Sequence, residues 1–143
     1  MIYIIWALLL LVICTYTDIK DRYVYSGICI GNSVVAVCIH FLLKDMSLKN
    51  LELAIIIGVI TILLSYAFKE KIGRGDALII LSIGLIEGGF FLMSVIVWAL
   101  IILNAFAIAG ITIKKLKIKS SLPLVPFVLL GNVVVAIFNG GQI

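Results

Sequence analysis

Charge is what this sequence has least of: Asp, Glu, Lys and Arg together make up 13% of 143 residues. With 64% hydrophobic residues, the chain carries more apolar surface than a soluble domain of this size needs. Proline is nearly absent, at two residues, and serine is scarce, which excludes a long disordered linker. No internal repeat is visible. The three cysteines, Cys14, Cys29 and Cys38, lie in apolar runs without a C-x-x-C pair. They are expected as small buried hydrophobes, not as a zinc site or a disulfide. The first segment, Met1–Thr17, has no basic residue before its apolar run and no small-x-small cleavage site. Ile13 before Cys14 is too large for a lipoprotein cleavage site. A retained first helix is expected, not a cleaved signal.

What is present is a series of apolar runs near the ~20 residues that cross a bilayer as a helix. In lipid every backbone polar group needs an internal partner, which leaves helices or a closed barrel. The runs are continuous, not alternating, and so select helices. Six segments emerge: Met1–Thr17, Val24–Leu43, Leu51–Phe68, Ala77–Ile86, Phe90–Ile113 and Leu122–Phe138. The fourth is too short to cross the ~30 Å hydrocarbon core alone. Gly88 and Gly89 after it suggest a turn near the outer surface, with Glu87 in water or headgroups.

The basic residues fall unevenly between these segments. The first, third and fifth loops hold Lys20, Arg22, Lys69, Lys71, Arg74, Lys114, Lys115, Lys117 and Lys119; the other side holds Lys44 and Lys49. Nine against two places the odd loops in the cytoplasm and both termini outside. The expected fold is therefore all-α: one transmembrane domain, 1–143, a polytopic bundle of about six segments with its N-terminus outside.

On this topology Asp18 ends the first helix and Asp76 begins the fourth, both at the cytoplasmic boundary. Acids at the rim of apolar helices are costly without water or partners, which makes them functional candidates. Two carboxyls brought together cannot both ionise easily and share one proton. The ionised member can take a proton from water while the other donates to a carbonyl oxygen, which is aspartic-protease chemistry. A helix N-terminus favours an anion and a C-terminus disfavours it, which biases Asp76 toward base and Asp18 toward acid. Gly73 and Gly75 around Arg74 permit unusual backbone angles and close approach of a substrate strand. The alternative is a simple loop-to-helix turn that Asp76 caps.

Three stretches in order resemble the type IV prepilin peptidases, membrane aspartic proteases that include the archaeal preflagellin peptidases. Thr17-Asp-Ile-Lys-Asp-Arg22 is similar to the family's first catalytic segment. Gly73-Arg-Gly-Asp76, continued through Leu81-Ser-Ile-Gly84 to Gly88, resembles its G-x-G-D segment. Leu122-Pro-Leu-Val-Pro-Phe127 through Gly131 resembles its late Pro-x-x-Pro-Phe segment. The likeness spans nearly the whole chain. It departs from many relatives at Tyr23-Val-Tyr-Ser26, where they have Pro-Asn, and at Leu78, where they have Lys.

The resemblance implies Asp18 and Asp76 as the catalytic pair, in a multi-pass protein of the cell membrane. Gly73, Gly75, Pro123 and Pro126 would shape the site. The reaction implied is removal of a short basic leader from a prepilin-like protein at the cytoplasmic face. No metal and no organic cofactor are expected. The partners are that protein substrate and the lipid bilayer, with no nucleic acid; oligomeric state stays open. The chain lacks the cysteine-motif domain of longer, methylating relatives, so peptidase activity without methyltransferase activity is expected.

Other polar residues have plainer readings. Asp21 and Glu70 read as solvated loop charges, His40 as interfacial packing away from the acids, and Asn104 as an interhelical hydrogen bond. Lys114–Lys119 reads as a topology anchor, and Pro123 and Pro126 also fit a simple helix start. Two other functions stay open. A presenilin-like protease shares Gly-x-Gly-Asp but pairs it with Tyr-Asp, where this chain has Thr17-Asp18. A small carrier or assembly subunit would hold its acids deep in the spans.

Overall fold

The computed structural model describes residues 2–21, 25–43, 46–67, 74–113 and 124–140. Among them are six helices and no strand: α1 Ile2–Asp21, α2 Ser26–Leu43, α3 Leu48–Ala67, α4 Arg74–Glu87, α5 Gly89–Thr112 and α6 Val125–Gly140. Four of these, α1, α2, α3 and α5, are long and apolar enough to cross a membrane. α6 adds the shorter apolar stretch Val125–Phe138, and the 14 residues of α4 extend roughly 21 Å at 1.5 Å per residue. The outer faces are apolar throughout, with Leu9, Val12, Ile60, Leu63, Val97, Ile101 and Ile108 all exposed. Such a surface suits lipid, not water, and the chain is a membrane protein of the expected all-α class.

The shortest of the long-expected spans turns out to be central. α4 packs against α1, α2, α3 and α5, and Ala77, Ile79, Ile80, Ser82, Ile83, Leu85 and Ile86 are all buried. α4 carries Ser82 and Glu87 among its apolar residues, and polar side chains within a membrane bundle turn inward to find partners. Two glycines serve this packing. Gly131 on α6 lies so close to α5 that a Cβ would stand 2.7 Å from the Val95 carbonyl oxygen. Gly88 turns the chain from α4 into α5 with φ of 96°, a conformation open to glycine. Asn50 of α3 braces that turn by accepting from the Phe90 backbone N–H at 3.0 Å.

Side-chain contacts fix the direction of each helix. Trp6 donates to Asn32 Oδ1 at 3.0 Å, and the Tyr3 ring lies 4.8 Å from that of His40, so α1 and α2 run antiparallel. Ser82 Oγ lies 2.9 Å from Ser33 Oγ and 2.9 Å from the Cys29 carbonyl oxygen. His40 Nε2 lies 3.2 Å from the Ile86 carbonyl oxygen. α2 and α4 therefore run together, and α1 opposes α4. Phe106 meets Phe127 at 5.5 Å and Trp98 meets Phe138 at 5.8 Å, so α5 and α6 oppose each other.

The structure corrects three expectations, the first being that of a buried Cys38, which faces outward from α2 and is exposed. Glu87 is not a solvated loop acid: it ends α4 turned toward α6, where its Oε2 accepts from Asn132 Nδ2 at 2.7 Å. Asn104 bonds within its own helix, to the Leu100 carbonyl at 2.7 Å, on an exposed face. His40 packs inside the bundle and is buried, at the end away from Asp18, as its place near the end of α2 led one to expect.

Candidate active site

Asp18 sits in the last turn of α1. Its position follows from the buried side of that helix: Leu11 and Cys14 are buried, and Asp18 continues their row at a spacing of seven and four residues. Thr17 beside it turns its hydroxyl back to the Cys14 carbonyl at 3.0 Å. Lys20 stands over the Tyr16 ring, 5.6 Å from its centroid, on the exposed side. Asp76 lies in the first turn of α4 and continues the buried row of Ile79, Ile80 and Ile83 toward the helix start. An acid is stable there because the first turn carries partial positive charge.

The two acids arrive at the same end of the bundle. The Cys14 and Cys29 thiols contact each other, and Ser82 bonds the Cys29 carbonyl, which sets these residues at a common height. From that height Asp18 lies four residues onward along α1, roughly 6 Å. Asp76 lies six residues back along the opposing α4, roughly 9 Å in the same direction. Their levels thus differ by roughly 3 Å, across two helices in direct contact. Both residues are half-buried.

A third element enters at the start of α6, where Pro126 was expected to shape the site, though the group that reaches Asp18 is a backbone amide that no side chain announces. The backbone amide of Val125, first residue of α6, faces the Asp18 carboxyl. The other carboxyl oxygen, Oδ2, is shielded from solvent and has no hydrogen-bond partner among the described residues. α6 opens with the Phe127 and Val128 amides bonded to the Leu124 carbonyl at 3.0 and 3.1 Å. Pro126 in this first turn gives up an N–H that would have no helical acceptor anyway. Asp18 therefore meets a helix N-terminus from α6 as well as the C-terminus of its own helix. The dipole argument that set Asp18 apart as the acid no longer separates it from Asp76.

Of the other expected site residues, Gly75 lies inside the first turn of α4 with a helical backbone. At that position it does not use glycine's left-handed freedom. Asp76 likewise sits within the turn, not at a cap ahead of it. Gly73 and Pro123 lie outside the described residues, as does Glu70. The contact between Cys14 and Cys29 and the Ser33–Ser82 link were also missed. Each joins residues far apart in sequence through packing, and no local pattern announces them.

The chain can thus present two carboxyls and one helix-terminal amide at a single end of an apolar bundle. That set is able to polarise a water and steady a carbonyl oxygen. No curated protein and no solved structure matches the chain. A family model described as the type IV leader peptidase family matches residues 4–140, nearly the whole length, and the chain belongs to that family of membrane peptidases.

Proposed function

We propose that the chain is an aspartic endopeptidase that removes a short basic leader from prepilin-like proteins at the cytoplasmic face of the cell membrane. The observation that carries this reading is the arrival of Asp18 and Asp76 at one end of the α1–α4 contact at nearly one height. Family membership supplies the reaction class. The helix directions supply the side: the connections holding Arg22, Lys69, Lys71 and Lys114–Lys119 join helix ends at the end where both acids lie. By the charge bias of loops, that end faces the cytoplasm and the N-terminus lies outside.

In the proposed reaction one carboxylate takes a proton from a water held between the pair. That water attacks the scissile carbonyl, and the protonated carboxyl donates to the developing oxyanion. The tetrahedral intermediate then breaks its C–N bond, and the proton taken from water passes to the leaving amine. The pair titrates as a unit. The Val125 amide holds Asp18 in place from α6, and Pro126 pre-sets the turn that presents that amide. Gly75, lacking a Cβ, leaves room for substrate backbone beside Asp76, and the likeness to the family's G-x-G-D segment extends that role to Gly73. The mature product keeps its apolar helix in the bilayer. The sequence holds no C-x-x-C pair, which supports peptidase activity without methyltransferase activity.

Co-expression with a prepilin-like protein tests the reading. A shortened product is expected on a gel with the native chain, and none with Asp18→Asn or Asp76→Asn. Cleavage that persists in both variants contradicts the assignment.

A further inference from the structure

The end of the bundle remote from Asp18 and Asp76 holds a second polar group that the proposed reaction does not use. Glu87 closes α4, and Asn132 sits within α6, fully buried. Asn132 Nδ2 donates to Glu87 Oε2 at 2.7 Å. The remaining oxygen on each side chain, Glu87 Oε1 and Asn132 Oδ1, is shielded from solvent and has no hydrogen-bond partner among the described residues. Two acceptors on side chains already joined by one bond lack the same thing, a positive hydrogen. Leaving both unmet in an apolar setting is costly.

We infer that Glu87 and Asn132 form a proton-binding site, in which the carboxylic acid donates from Oε1 to Asn132 Oδ1 and closes an acid–amide ring. One added proton supplies the missing donor and removes a charge from the bundle at once. A buried amide offers a donor and an acceptor side by side, which matches a neutral carboxylic acid and not a carboxylate. Among the described residues, the polar groups of other elements next to this end of α4 are His40, Tyr3 and Asn50. His40 of α2 approaches the Ile86 carbonyl with Tyr3 of α1 against its ring, and Asn50 of α3 packs at Gly88.

The pair ties α4 to α6, two helices whose first turns carry Asp76 and the Val125 amide. Glu87 and Asn132 are therefore positioning residues. This consequence rests on the proposed peptidase reading; the proton site itself does not.

The test uses the full chain in detergent, grown with carboxyl-13C glutamate to separate Glu from Asp signals in the infrared. A protonated-carboxyl stretch at neutral pH is expected to shift with the label. It should vanish in Glu87→Gln and remain in an Asp18→Asn/Asp76→Asn double variant. Gln can reproduce the ring with an amide hydrogen, so Glu87→Gln should keep the native melting temperature and cleavage rate. Glu87→Ala and Asn132→Leu should lose several degrees and lower kcat more than they raise KM. Alkaline pH should lower the melting temperature of the native chain more than that of Glu87→Gln.

Absence of the labelled band in the native chain overturns the proposal without any variant. So does a Glu87→Gln loss as large as that of Glu87→Ala, or sodium raising the native melting temperature but not that of Glu87→Gln, which would mean a metal cation in place of the proton. If the native chain cuts no prepilin-like protein, the peptidase reading fails while the infrared result still decides this site.

Discussion

Replacing Gly131 by Ala tests how α6 is held against α5, and through α6 how Val125 reaches Asp18. A Cβ at Gly131 would stand 2.7 Å from the Val95 carbonyl oxygen, 2.9 Å from the Ala99 nitrogen and 3.2 Å from the Ala99 Cα. All three are backbone atoms, so no rotamer change relieves them. A comfortable C···O approach is about 3.3–3.6 Å. The two helices must therefore separate locally by about 0.6 Å or more. Overpacking of this kind costs about 1–3 kcal/mol.

Alanine also gains about 1 kcal/mol of helix propensity over glycine, which masks part of the loss. Gly31→Ala on α2 supplies the control, because a Cβ there meets nothing within 4 Å. The propensity gain is common to both variants, so their difference isolates the packing. Thermal or denaturant unfolding of the purified chain in one detergent should place Gly131→Ala below Gly31→Ala by about 1–3 kcal/mol. The displaced α6 should also lower leader cleavage. Equal stability of the two variants refutes the close α5–α6 approach and the role given to it.

Three further outcomes follow from particular contacts. Gly88→Ala should destabilise the chain by about 1–2 kcal/mol from the left-handed backbone alone, with added crowding against Asn50; an unchanged unfolding midpoint contradicts the turn. Mercuric ion, a soft cation that takes thiolates, should bridge Cys14 and Cys29 and link α1 to α2 in peptide mass spectra. A bridge involving exposed Cys38 instead contradicts the helix pairing. Ser82→Ala removes a fully buried hydroxyl that joins α4 to the Cys29 carbonyl and to Ser33. It should cost about 1–3 kcal/mol in unfolding experiments, and no cost contradicts that link.

Much of the fold was legible because hydropathy tracks lipid contact. All six segments were found, each with ends within a few residues of the helix. The errors at the ends share a cause. α1 continues through Asp18, Lys20 and Asp21 because backbone bonding does not stop where apolar residues stop. α4 begins at Arg74, ahead of its apolar run, since an acid in the first turn suits the helix. Asp18 and Asp76 stood out because charge inside an apolar chain is costly and therefore visible.

What hydropathy cannot show is which apolar face meets which. The central place of α4 depends on its short length and on four neighbours. The Val125 amide carries no side-chain signal at all. Asn132 did carry one, as a polar residue inside an apolar helix, but its partner lies 45 positions away. Glu87 was read from its neighbours in sequence, two glycines, and not from α6.

The meeting of Asp18 and Asp76 is most directly tested by cross-linking. In a chain with Cys14, Cys29 and Cys38 replaced by alanine, cysteines are placed at 18 and 76 and treated with a short bis-maleimide. The account predicts an intramolecular 18–76 link in high yield, and no comparable link between 18 and a cysteine at 87 near the other end of α4. A link from 18 to 87 with none to 76 would place the two acids at opposite ends of the bundle and contradict it.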